Sequence, residues 1–193
     1  YSPTDMKNYS DSDRFIDTNN IFSVNRLSIS DSYEPGKSLT IGVDYKKESI
    51  ENISKFFGLN LATVLRDEKQ DNIPSQSTLG EKQSNLFGSS SYNLSKTLRL
   101  NYDFALDNDL QTFEYNSIGT TFDFDKLITS FEFVETEGKM GDTNFIKNST
   151  QIKFNEDNYL SFNTRRNRRI NLTEYYDLVY EYKNDCLVAG VRY

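Results

Sequence analysis

The stretch Lys96-Thr97-Leu98-Arg99-Leu100-Asn101-Tyr102-Asp103-Phe104-Ala105-Leu106 decides the fold class. Leu98, Leu100, Tyr102, Phe104 and Leu106 share one parity, while Arg99, Asn101, Asp103 and Ala105 share the other. An extended segment with that alternation has one apolar and one polar face. The same reading holds for Leu59, Leu61, Thr63 and Leu65, and for Leu127, Thr129, Phe131 and Phe133. It holds again for Tyr176, Leu178, Tyr180 and Tyr182 against Asp177, Glu181 and Lys183. Helical periodicity is almost nowhere, so the chain is read as a series of half-buried strands.

Working outward, the pattern predicts about ten strands, at 38–47, 56–66, 86–93, 96–106, 110–122, 127–136, 144–155, 158–167, 174–183 and 187–193. Many run ~10 residues or more, against ~5–6 for a typical globular strand. The connections alternate in character. Those at 48–55, 93–96, 123–126, 155–158 and 184–185 fall at one end of the sheet and are mostly tight. Those at 66–85, 107–109, 136–143 and 168–173 fall at the other, and two of them are long. The expected fold is all-β, an antiparallel up-and-down meander with one smooth and one ragged rim. Long alternating strands with few prolines and low mean hydropathy suit a fragment of a large transmembrane β-barrel, which needs ~9–11 residues per crossing. A soluble β-sandwich shares the alternation, and strand length favours the membrane. The polar lead-in, residues 1–20, has no signal-peptide pattern, and no stretch approaches the ~20 apolar residues of a spanning helix. The chain begins and ends abruptly, as a piece of a longer protein would.

Composition removes whole classes of chemistry. The 193 residues suffice for one domain; hydrophobic residues are 36%, and 14% aromatics argue against disorder. A net charge of −7 disfavours a general nucleic-acid partner. With no histidine, Ser-His-Asp triads, Cys-His pairs and imidazole metal sites are excluded. Asp107-Asn108-Asp109 lacks the glycine and terminal glutamate of a calcium loop and reads as a tight turn. Asp123, Asp125 and Glu132 are the carboxylates that alternation scatters along a polar face, and Ser89, Ser90 and Ser91 have no base to activate them. No catalytic constellation emerges; neither enzyme activity nor a cofactor is expected.

Two stretches carry a family resemblance: IFSVNRLSISDSYEPGKSLTIGVDY at 21–45 and RRINLTEYYDLVYEYKNDCLVAGVRY at 168–193. The first is similar to a segment of form FS-x-NR-x-S-x-x-D-x-x-E-x-G entering a strand, the second to a late hairpin with cysteine in its turn. Both features resemble the C-terminal half of the outer-membrane lipopolysaccharide-assembly family LptD, also called Imp or OstA. Between them, NLATVLRDEKQDNIPSQSTLGEKQSNLFGSSSYNL resembles that family's strand, long polar loop and return strand. The resemblance implies that residues 21–193 are the C-terminal portion of an incomplete barrel in a Gram-negative outer membrane. It implies a translocon that assembles lipopolysaccharide into the outer leaflet, with an LptE-like plug lipoprotein as partner. A periplasmic lipopolysaccharide bridge would dock through a missing N-terminal domain. Another outer-membrane barrel, of porin or autotransporter type, and a soluble carbohydrate-binding module remain as alternatives.

The candidate residues follow. Cys186, alone in the chain, cannot form an internal disulfide. The resemblance implies a disulfide to the missing N-terminal domain, which would set the Cys186 turn at the periplasmic rim and the long loops outside. Arg165, Arg166, Arg168 and Arg169 form the one dense basic cluster, a candidate contact for lipopolysaccharide phosphates or a plain solvated loop paired with Glu174 and Asp177. Asn25, Arg26, Asp31, Glu34 and Gly36 carry the first family segment. Pro35-Gly36 is a turn signal, and Arg26 with Asp31 or Glu34 is expected as an ion pair.

Overall fold

A computed structural model describes residues 2–3, 5–30, 33–52 and 54–193. It contains ten strands: β1 Ser38–Glu48, β2 Phe56–Arg66, β3 Leu86–Asn93, β4 Leu98–Leu106 and β5 Phe113–Asp123. These continue with β6 Leu127–Thr136, β7 Thr143–Lys153, β8 Asn158–Asn167, β9 Leu172–Lys183 and β10 Val188–Arg192. Every strand pairs antiparallel with the next, in the order β1 to β10, as one sheet. The expected all-β meander is thus the observed architecture.

Among the strand starts that differ from the periodic reading, those of β4 and β5 have local reasons. β4 opens at Leu98 because the Ser95 hydroxyl accepts the amides of Thr97 and Leu98, closing a turn. β5 opens at Phe113 because the Asp107 carboxylate accepts the Gln111 amide and Leu110 takes a left-handed φ of 58°.

The register defines two faces. On one lie Leu39, Ile41 and Val43 of β1, Leu61 of β2, Tyr102 of β4, Ile118 of β5, and Phe131 and Phe133 of β6. Val43 is 60% exposed and Ile118 52%, and no second sheet covers them among the described residues. Monomers in water rarely leave an apolar face of this extent bare, whereas a hydrocarbon surround asks for one. A sandwich would need a facing layer that is not there. Gly88 sits on this face directly opposite Phe104, whose ring carbons lie 2.2 Å from where a Cβ would stand. The ring, stacked on Tyr102 at 5.5 Å, thereby fills the space a side chain at 88 would occupy.

The opposite face curves around a packed segment. Residues from Met6 to Ile29 fold against it, and Met6, Ile16, Ile21, Leu27 and Ile29 are buried with Ala62, Val64, Phe87 and Ala105 of the sheet and with Ile73 and Leu79 of the β2–β3 loop. Residues 6–29, most of the lead-in and the start of the family segment, therefore form an internal plug. It enters from the long-loop rim, because it runs into Ser38, which pairs with Arg66 at the end of β2. Gly36, at φ +79°, makes the bend just before the strand, and its peptide exchanges two hydrogen bonds with Ser2.

Candidate functional site

The inner face beyond the plug is polar, since the even-odd alternation of the strands turns most of their charged residues inward. Glu132 and Lys147 are cross-strand partners 4.0 Å apart, Arg99 lies 3.9 Å from Asp123, and Arg192 donates to Asp177 at 2.6 Å. Ser149 donates to Asn163 at 2.7 Å. These partly solvated pairs make a wetted wall of mixed charge. Among the described residues no cluster of acidic or sulfur ligands fits a metal ion.

The plug is fastened by a buried ion triad. Arg26 donates to both oxygens of Glu34, at 2.6 and 2.9 Å, and to the hydroxyls of Thr40 and Ser38 at 2.8 and 3.0 Å. Arg66, at the end of β2, donates to the same carboxylate at 2.6 Å, to the Pro35 carbonyl at 2.6 Å and to the Leu79 carbonyl at 2.8 Å. The side chains of Arg26, Glu34 and Arg66 are 8, 12 and 1% exposed. One carboxylate thus ties the plug, the first strand and the β2–β3 loop together. Of the two carboxylates considered for Arg26, Glu34 is the partner; Asp31 lies outside the described residues. Asn25 is structural, its side chain accepting the Ile29 amide and donating to the Ile29 carbonyl. Arg66 has no sequence signal beyond closing a strand; its partner is 32 residues away.

At the long-loop rim, both irregularities of the ladder expel a glutamate. Glu114 is the extra residue between the pairs Ala105–Tyr115 and Leu106–Phe113, and Glu174 between Arg165–Tyr175 and Arg166–Thr173. Glu114, buried, accepts from Asn85 at 2.6 Å and from the Lys139 amide at 3.3 Å, joining two long loops. A second tie between those loops is Lys139 to Glu81 at 3.1 Å, with Lys69 at 3.7 Å. Burial alone would push the Glu81 carboxyl up, but the two ammonium groups outweigh it, and the group titrates below its ordinary 4.5. Its contribution is complete above the unfolded value and lost as pH falls through the lowered one. Hydrogen exchange of residues 137–142 should therefore accelerate on acidification below that range, and Lys139→Ala should remove the step.

The four arginines do not form one cluster. Arg165 faces inward, 2.8 Å from Glu174 Oε2 in a pair not aligned as a hydrogen bond, with its guanidinium 3.9 Å from the centre of the Phe145 ring. Arg169 pairs with Asp142 in the neighbouring loop. Arg166 shares the outward parity, aligned with Ile146, and donates to Asn171. Arg168 continues that parity and lies 5.4 Å from the centre of the outward Phe133 ring. Cys186 is exposed and free in the β9–β10 turn, where Asn184 accepts the amides of Cys186 and Leu187 at 3.0 and 2.8 Å.

A continuous meander with a bare apolar skin, a charged reverse and an internal plug defines a wall of a membrane-embedded β-barrel. The sequence profile of the family described as LPS transport system D, LptD, matches residues 4–158, and the chain belongs to that family. That membership assigns it to lipopolysaccharide transport; the β9–β10 hairpin with Cys186 lies beyond the matched residues. No curated protein matches. Among solved structures, a mutant of the Rh. blastica porin is similar at 14% identity and a TM-score of 0.44, over 80% of this chain and 74% of that one.

Proposed function

We propose that residues 21–193 are the C-terminal portion of the barrel of an LptD translocon in a Gram-negative outer membrane, led into by residues 1–20, and that the barrel delivers lipopolysaccharide to the outer leaflet. The observation that carries this reading is the two-sided sheet: acyl chains are compatible with the outer skin, saccharides and phosphates with the inner. The reaction is transfer without covalent change. An LptE-like lipoprotein would share the lumen, and the periplasmic lipopolysaccharide bridge would meet a separate N-terminal domain. A disulfide from Cys186 to that domain would put the β9–β10 turn on the periplasmic side, in keeping with short turns inside and long loops outside.

Ser149 and Thr150 test the proposal, being adjacent in β7 with opposite parity. With a photo-crosslinking residue at 149 in the full-length protein, lipopolysaccharide adducts are expected that vanish when supply from the inner membrane is blocked. At 150, lipid adducts should persist regardless. No supply-dependent adduct at 149 would remove the translocon reading.

A further inference from the structure

Arg166 and Arg168 stand where a solvated loop residue would not. By register Arg166 is level with Ile146, Phe133 and Ile118 on the outer skin; on β5 to β7 the next row toward the long-loop rim holds Asn116, Glu135 and Asn144, and Phe104 of β4 continues it. Arg168 leaves the end of β8 through a hydrogen bond from its amide to the Asn144 carbonyl, and its guanidinium returns over the Phe133 ring. Two residues apart on one face, their Cα atoms are ~7 Å apart in an extended chain. Neither has a carboxylate within 4 Å among the described residues; Glu135 instead accepts from Asn144 at 2.6 Å, and Glu174 faces Arg165. The contrast with Arg165 and Arg169, both ion-paired, is what needs explaining.

A cation at the boundary of hydrocarbon and headgroups, without a protein counter-ion, asks for an anion from the membrane itself. Guanidinium forks favour phosphate oxygens, and the ring beneath Arg168 supports its planar group from below. Resting on the barrel reading above, we propose that Arg166 and Arg168 form a clamp on the outside of the wall for a phosphate of a lipopolysaccharide molecule resident in the surrounding leaflet. This lipid is a boundary lipid, distinct from cargo in the lumen. Asn171, already bound to Arg166, fixes one fork in place.

The full-length protein in detergent micelles, incubated with purified lipopolysaccharide and analysed by native mass spectrometry, tests this. Arg166→Gln with Arg168→Gln should bind it ~10- to 100-fold more weakly, as loss of charge-assisted contacts implies, while Arg165→Gln with Arg169→Gln should stay within about 2-fold. Lipopolysaccharide stripped of its phosphates should bind wild-type protein only as weakly as native lipid binds the outer double variant. That second arm needs no variant to fold. Equal binding of stripped and native lipid, or an equal loss in the Arg165 and Arg169 variant, would overturn the clamp. So would displacement by millimolar inorganic phosphate, which would show an anion site indifferent to the membrane. Protein that is monodisperse without detergent would instead overturn the barrel reading beneath it.

Discussion

Glu34→Ala should detach the plug from the wall while the ten strands keep their pairing. Two buried guanidinium groups would lose their shared carboxylate, and removing one partner of a buried ion pair costs ~3–5 kcal/mol. Arg66 bears most of it, being 1% exposed and having only carbonyl oxygens left to receive its protons. The measurement is limited trypsin digestion of the folded protein, read as cleavage after Arg14 and Arg26, with heat-modifiable gel migration reporting the strands. The expected result is a protected barrel with a cut plug. Exchanging all three charges together, Arg26→Met, Glu34→Leu and Arg66→Met, should restore protection, because an apolar trio of similar size leaves no charge unpaired. Unchanged protection in Glu34→Ala would mean that the apolar contacts of Ile16, Ile21 and Leu27 hold the plug by themselves.

Phe131→Arg should destabilise the protein in lipid by ~2–4 kcal/mol, the cost of a cation on the hydrocarbon side of a barrel near its midplane. Phe131 is 48% exposed at the middle of β6. Its neighbour Ser130 has the opposite parity, and Ser130→Arg should change stability by only about 0.5 kcal/mol, as a surface exchange into a wetted lumen. Denaturant unfolding in vesicles compares the two. Equal costs would contradict the assignment of faces.

The strands were legible because their cause is local. A period of two survives from the sequence into the sheet wherever one face meets a different medium from the other, and the β4 stretch shows it without help from any neighbour. Its exact start was hidden by a serine cap, and that of β5 by an aspartate-centred turn, both set by side-chain hydrogen bonds that periodicity does not register. The plug was illegible for the converse reason. Met6, Ile16, Ile21, Leu27 and Ile29 follow no repeat, because they serve an irregular path across a curved wall. The family segment exposed Arg26 and Glu34 but not Arg66, which comes from a strand end far along the chain. The arginine run looked like one cluster only because adjacency in sequence conceals that Arg165 points inward, Arg166 and Arg168 outward, and Arg169 toward the neighbouring loop.

The ring of Phe104 resting over Gly88 couples the natural variation of two positions. Volume added at one must be surrendered at the other, so where relatives carry a branched side chain at the glycine's place, its cross-strand partner should have shrunk to an aliphatic. A smooth barrel exterior would then be inherited as a sum shared by two codons rather than as either residue alone.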